Sequence, residues 1–240
     1  YTRASEYVSG INISGNTAVG TATTTIYFAG QIGYASITDN RNLDSIVFNS
    51  TSTNVTISGN TFYGDVFNNS SGILLGMGAA TATAVTVTNN IFESRLTSIS
   101  GASNLKLIDI FSPSVTFTTN TVRYIEQAPS AIVSSIWIQT TGASPTVVVR
   151  GNKIEGPNRA DSDPAVALSI FPGNNMNQSV TATIVNNTFR NRMASGAPLM
   201  IQDSGLSASI SFAATIRNNL FFASVSSIKT AMEFSRGAGN

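Results

Sequence analysis

The sequence contains no cysteine and no histidine, and only 10% of its 240 residues are charged. Without cysteine there is no disulfide scaffold and no thiolate metal site, and without histidine the commonest general base and metal ligand is missing. The net charge of +1 supplies no strong field to attract nucleic acid or an anionic membrane. We therefore expect no nucleic-acid partner, no cofactor and no metal.

The sequence also lacks any run of eighteen or more apolar residues, so we expect no direct membrane insertion by this segment. Its first residues, Tyr1-Thr2-Arg3, include neither an initiator Met nor a signal-peptide pattern, and we expect the chain to be a segment of a longer one. Apolar residues still make up 42% of the sequence, and Ser, Thr and Asn are abundant. This balance favours a packed, polar-coated β protein over a disordered one.

One asparagine recurs at the same register in seven similar segments, such as VTISGNTFY, VTVTNNIFE and VTFTTNTVR. The residues five and three positions before it are apolar, and so is the residue two positions after it. Apolar residues alternate with Thr, Ser or Arg in these segments, which is the period of a β-strand with one buried face. The recurring residues are Asn16, Asn60, Asn90, Asn120, Asn152, Asn187 and Asn219.

A second strand follows each of these asparagines almost at once, because only one or two residues separate the two apolar sets. The residue before the asparagine is Gly, Asn or Thr, mostly types that tolerate left-handed backbone angles, which predicts a tight corner. A third apolar run, such as Ile136-Trp137-Ile138, follows in each repeat. We therefore predict an all-β fold, a right-handed parallel β-helix solenoid of about seven coils of three strands, with an asparagine ladder.

The solenoid is predicted to occupy residues 1–240 as a single domain. The step from Asn16 to Asn60 is longer than the others, so residues 17–45 are expected to form an irregular first coil or an insertion. A β-sandwich or a β-propeller remains an alternative, since either contains alternating strands. Neither gives a reason for asparagine at one register seven times, whereas in a β-helix each buried amide can hydrogen-bond the coils above and below it.

These segments resemble the pectate-lyase-like superfamily of right-handed parallel β-helices, in which an asparagine ladder marks the tight turn between the second and third strands of each coil. The loosely repeated GNTF and NNIF units are also similar to large repetitive surface proteins of protists and bacteria. The first resemblance implies that an enzyme would carry clustered Asp, Glu, Arg or Lys on one outer face. The polygalacturonase pattern of three aspartates with a histidine is missing here, and the lyase pattern of calcium-binding aspartates followed by an arginine has no match.

The outward side of the third apolar run is where we expect a functional site. Over successive coils it is predicted to carry Asp109, Trp137 or Gln139, Ser169, Gln202 and Glu233. Asp109 and Glu233 would then lie four coils apart, about 19 Å at the usual strand spacing of about 4.8 Å. The acid and base of a glycosidase lie about 5 to 9.5 Å apart, so no catalytic residue is predicted.

Carbohydrate binding is the remaining hypothesis for this side, with Trp137, Asp109 and Gln202 as the candidate residues. An outward indole between two isoleucines can stack on a sugar ring or anchor a protein contact. The alternative for Trp137 is that a loop of the adjacent coil, residues 174–179, covers it. The acidic stretch Asp161-Ser162-Asp163 is interpreted as a solvated loop, with a cation site as the alternative.

Asn-x-Ser/Thr sequons suggest a glycosylated surface protein. A chain this rich in Asn, Ser and Thr would, however, contain a similar number of sequons by chance. They begin at Asn12, Asn49, Asn54, Asn68, Asn69, Asn177 and Asn186. We expect a non-enzymatic extracellular or cell-surface β-helix with a structural or adhesive role. Its end coils are expected to contact the rest of the polypeptide or identical subunits, with self-association as a consequence, and glycans are the other expected partner. The alternative is a polysaccharide-binding or polysaccharide-degrading β-helix of the tailspike or lyase type.

Overall fold

The computed structural model describes residues 7–19, 25–64, 72–77, 82–97, 104–158, 165–173, 177–191, 197–203, 210–223 and 230–236. In these ranges the chain is all β, and its strands form three parallel sheets that wind into a solenoid. Each regular coil contributes one strand to each sheet and pairs in parallel with the coils before and after it. The described ranges contain no helix long and apolar enough to cross a bilayer.

The first sheet contains the strands that precede the asparagines. They are β1 (Tyr7–Val8), β2 (Ile11–Ser14), β4 (Gln31–Thr38), β6 (Ser52–Ser58), β9 (Ala82–Thr88), β12 (Ser114–Thr118), β15 (Thr146–Arg150), β18 (Gln178–Val185) and β21 (Ile210–Arg217).

The second sheet contains the short strands that follow the asparagines. They are β7 (Thr61–Gly64), β10 (Ile91–Ser94), β13 (Thr121–Tyr124), β16 (Lys153–Glu155), β19 (Thr188–Asn191) and β22 (Leu220–Ala223).

The third sheet contains the strands that close each coil. They are β3 (Thr25–Phe28), β5 (Ser45–Phe48), β8 (Gly72–Gly76), β11 (Leu105–Ser112), β14 (Ile132–Thr140), β17 (Val166–Pro172), β20 (Leu199–Asp203) and β23 (Met232–Arg236). The predicted all-β parallel solenoid with three strands per coil is thus confirmed.

The predicted number of coils, about seven, is too high. The second sheet has six strands, from β7 to β22, and six stacked strands span about five complete turns. Before β7, the described residues of this sheet form two isolated bridges, between Thr17 and Arg41 and between Leu43 and Phe62. Counting one full coil for each asparagine overestimates the number because the described part of the N-terminal coils shows no regular second strand.

The interior of the solenoid is filled by the apolar residues that the repeat places at fixed distances from each asparagine. Val55 and Ile57, five and three residues before Asn60, are buried, and so is Phe62, two residues after it. Equivalent residues of successive coils stack, and the rings of Phe62 and Phe92 lie 4.5 Å apart. Burying such a side chain contributes roughly 1.5–3 kcal/mol, so each coil adds stability by packing on its neighbours.

The asparagine ladder lies at the corner between the first and second sheets. The Oδ1 atom of Asn60 accepts hydrogen bonds from the backbone N–H and the Nδ2 of Asn40, and the Nδ2 of Asn60 donates to the carbonyl of Ile37 and to the Oδ1 of Asn90. Both amide atoms are therefore satisfied in the interior, where an unpaired amide would be costly.

The same three contacts repeat at all seven junctions between Asn16 and Asn219. The backbone N–H to Oδ1 distances are 2.8–3.0 Å, and the Nδ2 to Oδ1 distances are 2.9–3.2 Å. The bonds from Nδ2 to the carbonyl three residues before the preceding asparagine measure 2.8–3.0 Å. The predicted ladder is confirmed.

Among the described residues the ladder has eight rungs, because Asn40 lies between Asn16 and Asn60. Ala35 and Ile37 fit the repeat, but the position two residues after Asn40 is Asn42, which is polar and has φ of 58°. This extra left-handed residue moves the apolar position to Leu43, which bridges to Phe62. The repeat pattern read from the sequence missed this rung because it required an apolar residue two positions after the asparagine.

The residue before every rung has a positive φ, between 55° and 68°, as the tight corner requires. These residues are Gly15, Asp39, Gly59, Asn89, Thr119, Gly151, Asn186 and Asn218. Thr119 stands out because β-branched residues strongly disfavour left-handed angles. Its hydroxyl donates to Asn89 Oδ1 at 2.5 Å, which offsets part of the cost.

We predict that Thr119→Asn raises the free energy of unfolding by about 1 kcal/mol, because asparagine adopts the left-handed conformation at lower cost. Urea unfolding measures the change. The matched control is Thr86→Asn in β9, where the backbone is extended and the same change brings no gain. Equal effects of the two substitutions would contradict the interpretation of Thr119 as a strained corner.

Candidate functional site on the outer face of the third sheet

The middle of the third sheet presents one outward column of side chains. Ile136 and Ile138 of β14 are fully buried, whereas Trp137 between them is half-buried and faces outward. The strand register then defines the column across five coils. Its members are Asp109, Trp137, Ser169, Met200 and Glu233.

Two assignments in the predicted column change. Trp137 occupies the position beside Asp109, and Gln139 pairs with Phe111 in a parallel column two residues along. In β20 the column residue is Met200, and Gln202 lies two residues along, beside Ser235 of the next coil. The sequence interpretation chose the polar Gln202, whereas the strand register places Met200, which lies between the inward Leu199 and Ile201, in the column.

The carboxylates in this column are far apart. Asp109 and Glu233 are separated by four coil steps, about 19 Å at the normal strand spacing of about 4.8 Å. Asp109 and Ser169 are buried, although both occupy outward positions of the sheet. The column is therefore a closely packed face rather than an open groove along its whole length.

Trp137 is engaged by its neighbours within the sheet. The Nζ of Lys106 lies 5.0 Å from the centroid of the indole ring, and the ring of Phe171 lies 5.4 Å away at an angle of 31°. A cation over an aromatic face contributes about 0.5–1 kcal/mol at an exposed site. Residues 174–176 of the loop predicted to cover Trp137 lie outside the described ranges.

The outer face of the second sheet carries a row of alternating charges that the sequence interpretation missed. Each charge lies three residues after a ladder asparagine in four successive coils. The row consists of Glu93, Arg123, Glu155 and Arg190. Glu93 and Arg123 are register neighbours and form an ion pair, and Arg190 lies 3.4 Å from Glu155. Comparing the residue three positions after each ladder asparagine in successive repeats would have revealed this row.

A buried polar bridge links the second and third sheets. The hydroxyl of Tyr124 lies 3.0 Å from the Oγ of Ser135, which in turn donates to the backbone carbonyl of Glu155 at 2.5 Å. Burial raises the pKa of Tyr124, and the hydrogen bond to Ser135 lowers it to a smaller extent. The phenol is therefore held in its neutral form and joins the sheets.

No group of three or more Asp, Glu, His or Cys side chains suited to hold a metal ion occurs in the part of the chain that the structure describes. The acidic stretch Asp161-Ser162-Asp163, for which a cation site was the alternative interpretation, lies outside the described residues.

The structure describes the surroundings of some sequon asparagines and not of others. Five of their asparagines are exposed, namely Asn12, Asn49, Asn54, Asn177 and Asn186. Asn68 and Asn69 lie outside the described residues. Exposure gives a glycosyltransferase access to the five, and glycosylation itself stays a prediction.

No family model, curated protein or solved structure matches this chain. The fold is therefore known from the strand pairing and the ladder alone.

We predict that Arg123→Ala lowers the free energy of unfolding by about 1–2 kcal/mol, because it leaves the carboxylate of Glu93, only 5% exposed, without its partner. Arg190→Ala is the matched control and costs less than about 1 kcal/mol, because the Glu155 side chain is more accessible to water. Adding Glu93→Gln to Arg123→Ala should restore part of the loss. Equal losses in the two arginine variants would contradict this ranking.

Proposed function

We propose that this chain is a structural or adhesive β-helix that acts outside the cell or on its surface and catalyses no reaction. The observation that carries the proposal is the continuous asparagine ladder, in which eight amides join successive coils into one rod. Structural rods need this kind of uniform, nearest-neighbour stabilisation.

The distribution of charge supports a scaffold role. In the second sheet, the charged residues of successive coils pair with each other, as Glu93 does with Arg123. In the first sheet, several outward positions carry threonines in register, such as Thr56, Thr86 and Thr116. The hydroxyl of Thr118 donates to that of Thr88 in the preceding coil at 3.0 Å, and such a contact between coils supports a scaffold role.

The extracellular location is proposed from the surface chemistry. Five sequons have exposed asparagines, and a chain without thiols has no free cysteine to oxidise outside the cell. Glycosylated, Ser- and Thr-rich surfaces suit a glycoprotein of the cell surface.

We further propose that the coil is right-handed and that the architecture is that of the pectate-lyase-like superfamily. The support is the position of the ladder at the tight corner between two strands, together with the strong preference of parallel crossover connections for the right hand.

A second candidate function is polysaccharide binding by the outer face of the third sheet. The observation in its favour is the outward indole of Trp137, flanked by Lys106 and Phe171. Aromatic faces with nearby polar groups are a common way to hold a sugar ring.

A glycan array combined with an assay for released reducing ends tests the two functions together. We expect no turnover of any arrayed glycan, because the two column carboxylates are too far apart to act as an acid and base pair. Specific cleavage would contradict the structural role, whereas binding without cleavage would indicate adhesion.

If the array identifies a bound glycan, binding through Trp137 predicts at least a tenfold weaker affinity in Trp137→Ala, measured by titration calorimetry. The control is Tyr34→Ala, which removes a 44% exposed aromatic side chain from the first sheet. Unchanged affinity in Trp137→Ala would remove this face from consideration.

A further inference from the structure

Cationic side chains gather on both sides of the asparagine corner in three neighbouring coils. The middle coil carries Arg150 two residues before Asn152 and Lys153 one residue after it, and both side chains are exposed. Arg123 and Arg190 are exposed on the second sheet in the coils before and after. The strands that carry these four residues all have a described strand on each side. We call the four cations and the corner between them the basic strip.

Strand register spaces the cations evenly along the rod. Arg123 and Arg190 belong to the charge row of the second sheet and lie two coils apart, about 10 Å at the usual strand spacing of about 4.8 Å. On the first sheet, Arg150 is followed in its column by Val185 and then by Arg217, so the same step separates the two arginines. A long anionic chain lying along the rod axis would meet these charges one after another.

The two arginines of the second sheet face water although each has an acidic partner. The side chains of Arg123 and Arg190 are 48% and 47% exposed, whereas those of their partners Glu93 and Glu155 are 5% and 20% exposed. The carboxylates therefore lie beneath the guanidinium groups. Arginine keeps further N–H donors for a second anion, because its planar group carries five of them.

The strip concentrates positive charge in a chain whose net charge is only +1. Residues 114–124, 146–155 and 178–191 together contain four cationic residues and one carboxylate. Within the part of the chain that the structure describes, Arg150 and Lys153 form no ion pair. A local excess of one charge raises the concentration of oppositely charged ligands near the surface, even where the net charge is small.

The corner between Arg150 and Lys153 has a gap on its outer side. The residue there is Gly151, which is exposed, whereas the same corner position carries Thr119 in the coil before and Asn186 in the coil after. A Cβ atom added to Gly151 would lie 3.5 Å from the Cγ2 of Thr119, which is ordinary van der Waals contact. The gap therefore has room for an anionic group between the two cations.

The other side chains of the strip indicate the class of ligand. Threonines surround the cations at half-buried outward positions, namely Thr118, Thr121, Thr183 and Thr188. None of the exposed large apolar side chains of the described chain lies in the three ranges that form the strip. The strip thus offers no aromatic platform for nucleic-acid bases and no apolar group to enter a bilayer. Cations and hydroxyls suit a ligand that carries anionic groups and hydroxyls.

We propose that the basic strip binds an anionic polysaccharide that lies along the rod. Its sulfate or carboxylate groups contact the four cations in turn, and one of them sits above Gly151 between Arg150 and Lys153. This partner gives the adhesive role proposed above a chemical target, and the inference rests on that role. The contacts are charge-assisted hydrogen bonds at an exposed surface, so the affinity falls as salt rises.

Three polymers with one backbone test the class of ligand, namely dextran, carboxymethyl-dextran and dextran sulfate of equal length. Produced in bacteria, the chain carries no glycan on Asn186 beside the strip. Titration calorimetry should show binding to one or both anionic polymers, with at least about tenfold weaker affinity at 200 mM than at 50 mM salt. Binding to neither anionic polymer, equal binding to dextran, or tighter binding to single-stranded DNA would overturn the proposal.

A double variant tests the location of the site. Arg150→Thr with Lys153→Thr installs the residues that the preceding coil has at the same positions, Thr118 and Thr121, so the fold should be retained. We expect at least about tenfold weaker binding of the preferred anionic polymer, because two charge-assisted contacts are lost. Affinity within about twofold of the wild type would overturn the proposal.

The matched control removes one arginine and one lysine outside the strip. Arg41 follows Asn40 as Lys153 follows Asn152 and is exposed, and Lys106 lies beside Trp137 on the third sheet. Arg41→Thr with Lys106→Thr should bind like the wild type. A loss equal to that of the strip variant would overturn the proposal, because binding would then follow net charge or the face around Trp137.

Gly151→Asn tests the gap without a change in charge. Asparagine already occupies this corner at Asn89 and Asn186 with φ of 55° and 58°, so the backbone can keep its path. The added side chain should weaken binding at least threefold, while Gly15→Asn, the same change at a corner outside the strip, should not. Unchanged affinity in Gly151→Asn would overturn the position of the anionic group. Thermal melting monitored by circular dichroism verifies that each variant is folded.

An assay for reducing ends on the same polymers separates this outcome from that of the proposed function. Release of reducing ends by a chain that binds through the strip would contradict the non-catalytic role alone. A chain that releases none and binds no anionic polymer would contradict the strip alone.

Discussion

The fold depends on one constraint, which is that an amide buried at a tight corner must hydrogen-bond with both of its polar atoms. In this solenoid the amide can do so only if another coil with the same asparagine lies directly above or below it. The Oδ1 of Asn120, for example, accepts hydrogen bonds from the backbone N–H and the Nδ2 of Asn90. The Nδ2 of Asn120 donates to the carbonyl of Val87 and to the Oδ1 of Asn152. The register of neighbouring coils is fixed by this requirement, and the stacking of phenylalanines and isoleucines in the interior follows from it.

Much of the fold could be predicted from the sequence because the ladder imposes an exact local pattern. An asparagine with apolar residues at fixed offsets identifies the corner, the two strands beside it and their inward faces. The pattern fails where the chain inserts a residue without changing the stacking. Asn42 is such an insertion, and because its left-handed backbone restores the path of the chain, Asn40 keeps its place in the ladder while its sequence signature is lost.

The outer faces were harder to predict, because side chains there do not have to pack into a shared core and therefore follow no repeating pattern of residue types. Alternation correctly identifies which residues of β20 point outward, but it gives no preference between Met200 and Gln202. Register decides that question, and it depends on pairing between coils. The ion pair of Glu93 and Arg123 was missed for the same reason, since the two residues are 30 positions apart in sequence and become neighbours only when the coils stack.

The most direct measurement of the ladder's role is the free energy of unfolding of Asn120→Leu, determined by urea titration beside Asn54→Leu, which makes the same change at an exposed position of β6. Leucine at position 120 removes four hydrogen bonds and leaves the backbone N–H of Asn90 without an acceptor, while the Nδ2 of Asn90 and the Oδ1 of Asn152 each lose one of their partners. We expect a loss of at least about 3 kcal/mol, since each hydrogen bond contributes about 0.5–1.5 kcal/mol and a buried unpaired group costs about 1–3 kcal/mol, and a change within about 0.5 kcal/mol for Asn54→Leu. An equally small change in both variants would contradict the dependence of the fold on the ladder.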